Sequence, residues 1–466
     1  MQVPILNGIY TDEAADFRTR YPVNMVPVPV EQGISKGYLR PADGIVGLSE
    51  PGLGPCRGGI NWNSAHYRVL GTKLVRVSEN GSVVELGAVA GIELATLDYS
   101  FDYLAVAAGG NLYLWNGALQ QVTDPDLGAV IDVLWVDGFF MTTDGENLVV
   151  TELADPFSVL TTKYGSSEAD PDPVKALLKV HNEPVALNRY TMETFDNVGG
   201  SGFPFQRIAG AHVSRGTVGT HSCAVFLDAI AFVGGGRNES IAVWLASNGG
   251  SVKISTRAID QILGGYSEAT LAKILAETRV DQGHELLLIH LPDQTLVYDA
   301  AASRFLGEPV WFILSSGLAS VSQYLAHHLV RVFDQWSVCH PTTGALGVLT
   351  NTHSDHWGEK VGWDFSTMVV YNESRGALFH EVELVCLTGR TALGLSPTVM
   401  TSYSEDGETW SVPHAIKAGT RGERDKRLVW LGQGPMRHWR LQRFQGGSDA
   451  FLAAARLEIR AEALAV

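Results

Sequence analysis

An all-β fold is what this 466-residue sequence predicts: a β-propeller of six or seven blades, then an antiparallel β-sandwich. Three observations carry the expectation. The first is one hairpin, His284 to Ala300, in which Leu286 to Leu291 and Thr295 to Tyr298 flank Pro292-Asp293-Gln294. Proline presets φ for the first central turn position and aspartate bonds its own backbone, so the turn has a mechanism. The second is that the hairpin recurs in degenerate form. The third is composition: 50 glycines and only 18% charged residues suit many short strands joined by tight turns.

The recurrence sets the architecture. Tyr67 to Leu86 turns at Asn80-Gly81, Tyr103 to Val122 at Gly109-Gly110 and Asn116-Gly117, and Gly138 to Leu153 at Asp144-Gly145. Weaker copies run from Pro184 to Phe195, Ile230 to Ser255 and His328 to Leu349. The second strands begin near Leu74, Leu112, Leu148, Thr191, Ile241, Leu296 and Trp336. Their spacing of roughly 36 to 55 residues brackets one propeller blade, and seven units favour seven blades. The alternative is a run of ordinary hairpins in a sandwich or in two β domains.

Along the chain, residues 1–55 hold few strand signals and many prolines, so they read as an extended arm packing on the C-terminal domain. Residues 56–355 are the propeller. Within it, Ser166 to Pro173 is a polar, acidic loop, and one segment breaks the β pattern. Arg257 to Leu263 and Ser267 to Glu277 carry apolar residues at i, i+3 and i+4, and Ser267-Glu268 suits a capped first turn. These predict a short inserted helical pair. After His356 the rhythm stops. Residues 356–466 alternate like a sandwich, with strands at His380 to Leu387, Thr398 to Ser404, Arg427 to Leu431, Arg437 to Phe444 and Ala453 to Arg460.

Charge and targeting exclude several classes. A formal charge of −16 argues against a general nucleic-acid binder, because most of the surface repels phosphate. The first basic residue is Arg18 and no apolar run follows Met1, so no export signal is expected. The charge-free stretches Tyr103 to Asp124 and Pro309 to Val330 are too interrupted for membrane helices. Cys56, Cys223, Cys339 and Cys386 lack paired spacing and read as reduced core thiols of a protein assembled in a cytoplasm.

No catalytic residue, metal or cofactor is expected. Ser404 to Trp410 is one residue short of the Asp-box turn of sialidase-like propellers, which is itself structural. His353-Ser354-Asp355-His356 lacks a third ligand cluster or a nucleophile elbow and reads as a polar interdomain loop. His327-His328 reads as a pair on opposite faces of a strand, and Gly234 to Asn238 lacks the lysine of a P-loop. The most unusual feature is basic. Arg421, Arg424, Lys426, Arg427, Arg437, Arg440 and Arg443 crowd one C-terminal stretch, interleaved with Trp430 and Trp439. Arginine forks suit carboxylates and tryptophan suits interface anchors, so these nine residues are the predicted partner-binding set.

Several segments together resemble one family. They are the His284 to Ala300 hairpin with the preceding Ala258 to Tyr266, Tyr21-Pro22-Val23-Asn24-Met25, Gly37-Tyr38-Leu39-Arg40 followed by Gly44-Ile45, Tyr190 to Phe195, and Asp425 to Trp430. In this order and spacing they resemble the packaged-DNA stabilisation proteins, or tail hubs, of short-tailed bacteriophages. The resemblance implies a structural virion protein of the tail, not an enzyme, working as a homo-oligomeric ring, usually a hexamer. It implies a place below the portal and adaptor ring, a tail needle or plug, attached tailspikes or fibres, and DNA that passes through the lumen without sequence-specific binding. The runner-up is a propeller glycoside hydrolase or carbohydrate-binding protein, which needs two carboxylates facing one cavity.

Overall fold

The computed structural model describes residues 2–3, 9–11, 18–153, 155–367, 369–372 and 375–464. Among these, seven antiparallel sheets form a propeller. Their inner strands are Cys56–Trp62, Thr96–Tyr99, Asp132–Val136, Val174–Val180, Cys223–Phe226, Leu275–Asp281 and His327–Val332. Each inner strand contacts the next around the axis, and the ring closes between His327–Val332 and Cys56–Trp62. We number the blades 1 to 7 in that order.

The turns explain why each unit is a meander. Between the first and second strands lie two-residue turns with both φ positive: Asn63 and Ser64, Asp137 and Gly138, His181 and Asn182, Gln282 and Gly283, and Phe333 and Asp334. Mirror-image turns of this kind match the right-handed twist of the strands they join. Asn80-Gly81, in contrast, lies between the third and fourth strands of blade 1. The His284–His290 and Thr295–Asp299 hairpin occupies the middle of blade 6, with Leu291 N bonded to Gln294 O at 2.8 Å across the turn.

Among the described residues, helices intrude only around blade 6. Arg257–Gly264 is capped by Thr256, and Ser267 caps Glu268–Leu271. The second helix stops well short of the predicted Glu277, because Leu275–Asp281 is instead the inner strand of blade 6. A third helix, Ala300–Leu306, starts on the Asp299 carboxylate and ends at Gly307 with φ 76°, a left-handed cap that glycine adopts without steric cost.

The stretch read as an arm is built into both domains. Gly44–Ser49 is the outermost strand of blade 7, so the ring is closed by chain from its far end. Met25–Pro29 and Gly37–Pro41 pair with each other and sit at one edge of the sandwich. Prolines are tolerated there because an edge strand has donors to spare. Between them, Val23 is shared: its N–H bonds Asp364 O at 2.8 Å, while Asn24 N bonds Ile313 O of blade 6 at 2.8 Å. The Asn24 amide donates to Ser315 O (2.8 Å) and Gly362 O (2.7 Å) and accepts from Ser315 N (2.9 Å). Asn24 has φ 54°, a conformation that asparagine adopts more readily than most residues. The Tyr21 to Met25 motif is therefore the stitch between propeller and sandwich.

The sandwich packs two sheets. One runs Met25–Pro29, Gly37–Pro41, Ala453–Ala463, Ala377–Leu387, Leu428–Met436; the other runs Gly362–Ser366, Trp439–Gly447, Thr398–Ser404, His414–Lys417. Their core is aromatic, with Phe365 stacked between Trp363 and Phe444 and Trp430 tilted on Phe444 at 5.5 Å. Truncating such a ring costs about 3–5 kcal/mol.

Candidate functional site

The predicted partner-binding residues divide into two groups. Arg421, Arg424, Lys426 and Arg427 are exposed on the loop that enters Leu428–Met436, and Arg437 is exposed on the turn that follows that strand. The loop is anchored by Thr388 Oγ1 donating to Glu423 O (2.7 Å) and Thr420 N to Glu423 Oε2 (2.6 Å). Arg427 forks onto the Glu383 carboxylate, with Nε to Oε1 at 2.7 Å, and holds that carboxyl below its usual range.

The second group points inward. Trp430 is 2% exposed, lies in the aromatic core and donates its indole N–H to His414 O at 2.9 Å. Arg440 is fully buried: Nε and Nη2 donate to the side-chain Oε1 of Gln442 (3.1 and 2.8 Å), and Nη1 donates to the backbone Gln433 O (2.7 Å). Its guanidinium lies over the rings of Tyr403 (3.8 Å) and Phe379 (4.4 Å). Burial pulls its pKa down to about 10. Arg443, also largely buried, forks onto Asp364 with Nε to its two oxygens at 3.0 and 2.9 Å. Trp439 is half-buried beside them. Within this strand Arg440, Leu441, Gln442 and Phe444 are buried, and Trp439 and Arg443 are half-buried.

Sequence reasoning missed the polar collar around the propeller axis. Inner strands splay where they converge, which leaves backbone amides without a neighbouring strand, and carboxylates supply the acceptors. Asp98 in blade 2 accepts from Trp135 N of blade 3 at 2.6 Å, and Asp132 in blade 3 accepts from Leu177 N of blade 4 at 2.7 Å. Glu277 in blade 6 accepts from His328 N (2.9 Å) and Leu329 N (2.8 Å) of blade 7. Burial pushes the carboxyls of Asp132 and Glu277 up to about 7. The remaining oxygens of Asp98 and Asp132 accept from Tyr99 N and Val133 N. These adjacent acids are committed to backbone amides. The only signal for them in sequence is an acid early in a β unit.

Histidines fill the rest. His290 bonds Glu277 (3.0 Å) and Thr295 (3.0 Å), and its ring lies 4.1 Å from that of His327. His328 has φ 54° beside a bulge, so the expected simple alternation of His327 and His328 is interrupted and both are buried. His221, entering blade 5, meets Thr96 of blade 2 at 3.2 Å across the axis. Burial lowers His290 to about 3 and His221 to about 4.

The remaining motifs make the following contacts. Asp406 accepts from Glu408 N (2.9 Å) and Thr409 N (2.8 Å), and these bonds, with the Thr409 hydroxyl foremost, lower its carboxyl to about 2. In the His353 to His356 loop, Gly44 N and Ile45 N bond the carbonyls of His353 and Asp355, and His356 Nδ1 bonds Ser316 Oγ at 2.8 Å. The loop therefore holds the closing strand. Arg237 beside Gly234 to Gly236 pairs with Asp170 at 3.2 Å. Among the described residues no group of three or more His, Cys, Asp or Glu is placed to hold a metal ion. Among the same residues no helix is long and apolar enough to cross a membrane. A cleft of about 350 Å³ lies at the domain junction, lined by Val23, Leu318, Trp363, Met400 and the Arg443–Asp364 pair.

Comparison with known proteins gives the following. Residues 1–354 match the family described as bacteriophage P22 Gp10, beta-propeller, and residues 362–462 match bacteriophage P22 Gp10, beta-sandwich. The tail hub protein gp10 of Salmonella phage P22 is 29% identical over 346 residues, covering 68% of this chain and 70% of that protein. Among solved structures, virginiamycin B lyase from Staphylococcus aureus overlaps 66% of this chain and 98% of its own at 12% identity and TM-score 0.42. The N-terminal domain of Nup159 overlaps 69% and 97% at 9% identity and TM-score 0.41.

Proposed function

This chain belongs to the bacteriophage P22 Gp10 family of tail hub proteins, and on that premise we propose that it assembles as a ring, a hexamer, below the portal and adaptor ring. In this reading the ring retains packaged DNA until a needle or plug is released, forms part of the ejection conduit, and offers surface to tailspikes or fibres. Its role is structural, like that of its homologue, and needs no cofactor.

One observation supports the conduit assignment most directly. The propeller axis is crossed by the Thr96–His221 bond and lined by Asp132, Glu277 and buried histidines. A duplex has no path through a single chain, so the conduit is the space between copies. A net charge of −16 suits that role, because each phosphate gripped by a cation would add salt-dependent drag on passage.

The ring and adaptor contacts belong, on this reading, to the 356–466 domain and to its exposed cations Arg421, Arg424, Lys426, Arg427 and Arg437. Arg440, Arg443 and Trp430 act beneath them by holding the strands in place. The test is a charge reversal confined to the surface group. Arg421→Glu, Arg424→Glu and Lys426→Glu together leave a folded monomer that fails to form rings or bind the adaptor, read by native mass and by DNA loss from assembled heads. Normal rings and normal adaptor binding by the folded variant would reduce the loop to a solvated face. The assembled lumen is expected to be neutral or negative, and a density map with arginines and lysines facing the DNA would contradict the conduit argument.

A further inference from the structure

We propose that Cys56 and Cys339 form a modification site: a latent disulfide that staples the propeller at the seam where blade 7 meets blade 1. Cys56 opens the inner strand of blade 1 and Cys339 ends the second strand of blade 7. The two are nearly 300 residues apart in sequence and share one buried cluster with Leu70, Val75, Val77 and Leu346. The two thiols lie close enough for each to change the other's acidity.

The surroundings distinguish this pair from the other thiols. Arg68, fully buried on the neighbouring strand, brings Nη1 to 3.5 Å from the Cys56 sulfur and Nη2 to 3.2 Å from Ser337 Oγ. Its Nε is buried with no partner. A guanidinium so placed stabilises a neighbouring anion, and the groups within its reach are the Cys56 thiol and the Glu277 carboxyl. Burial pushes the thiol of Cys56 up, but the Cys339 hydrogen bond and Arg68 more than offset it and hold it below the usual range. Burial pushes Cys223 and Cys386 up without such an offset, Cys386 to about 12.

The chemistry balances with a small peroxide as oxidant. The Cys56 thiolate attacks one oxygen of hydrogen peroxide, forming a sulfenic acid and releasing hydroxide. Cys339 then attacks the Cys56 sulfur, the S–S bond forms, and the sulfenic oxygen leaves as water with the Cys339 proton. Two thiols and one peroxide give one disulfide and two waters. Such a bond would tie the ends of a seven-blade ring whose closure is otherwise noncovalent, and long closed loops restrict the unfolded chain most. The thiols stay reduced in a reducing compartment and the bond forms once the particle leaves it.

The experiment treats the full-length folded protein with hydrogen peroxide, then alkylates and maps the peptides. Expected are a linked Cys56–Cys339 peptide, half the free thiols in denaturant, and a Tm higher by roughly 5 °C or more, reversed by dithiothreitol. The Cys339→Ala variant should instead stop at a Cys56 sulfenic acid that dimedone traps. If that variant does not fold, the wild-type peptide map decides alone. Four free thiols after treatment, linkage through Cys223 or Cys386, or an unchanged Tm in the linked protein would each overturn the staple.

Discussion

The propeller axis and the sandwich core each bury ionisable groups that serve stranded backbone, and the two sets differ in character. At the axis Asp132 and Glu277 each accept hydrogen bonds from the backbone of the next blade. In the sandwich Arg440 donates to carbonyl oxygens and is covered by aromatic rings. The difference follows from which backbone groups the architecture leaves unpaired. Converging inner strands strand N–H groups and call for acceptors. The irregular edge around Gln433 and Gly434 strands carbonyls and calls for a donor. Desolvation then moves each pKa toward the neutral form, up for the acids and down for the arginine.

The largest way to break this comparison is Arg440→Glu. It places a second acceptor among acceptors and should cost about 3–5 kcal/mol, seen as early sandwich unfolding in denaturant melts. Arg440→Met, which keeps the ring contacts and loses only the bonds, should cost clearly less. A loss equal to that of the Glu variant would mean that packing rather than charge is decisive.

Next in size is the pH dependence of the propeller, where two sets of groups pull in opposite directions. His221, His290 and His356 have folded pKa values of about 4, 3 and 4, below the ordinary 6.5. The unfolded chain then binds more protons than the folded one, so their contribution is intact above pH 6.5 and is lost as pH falls toward 4. Asp132 and Glu277 are raised to about 7, so the folded state binds more protons and their contribution fades as pH rises from 4 through 7. Melting temperatures across pH 4 to 8 should therefore pass through a maximum. His356→Gln should flatten the acid limb and Asp132→Asn the neutral limb; identical profiles for all three proteins would refute the assignment.

A smaller effect sharpens the domain junction. Asn24→Ala removes three hydrogen bonds that tie blade 6 to the sandwich and places alanine at φ 54°. A loss of about 2–3 kcal/mol is expected, with the two domains then melting at separate temperatures. The smallest effect belongs to the surface: Arg421→Ala with Arg424→Ala should change stability by no more than about 0.5 kcal/mol. A larger loss would place that loop within the cooperative fold.

Much of this was legible before any coordinates, for a local reason. Thr398–Ser404 appears where alternation and flanking turn residues put it, and Ser267 caps its helix as its position suggests. The hairpin at His284 is likewise a local object. In contrast, Leu275 to Glu277 carry helical spacing but form strand, because the ring supplies a neighbour on each side and burial outweighs propensity. The basic stretch was legible as a concentration of charge and illegible as a surface. Arg437 and Arg440 are three residues apart, yet one is exposed and the other fully buried.

The sequence alone determined what can be encoded within a few residues: the strand-turn-strand unit, its recurrence in six or seven copies, the change of rhythm after His356, and the family resemblance. Tertiary structure decided everything that depends on a distant partner. Gly44–Ser49 becomes a blade strand only because residues 346–350 present an open edge to it. Asp132 becomes an acceptor rather than a free acid only where another blade leaves an amide unpaired. Cys56 meets Cys339 only because the ring closes. Periodicity is set by local backbone geometry and side-chain polarity, whereas pairing across a ring is set by which groups closure leaves unsatisfied, and no short window of sequence contains that information.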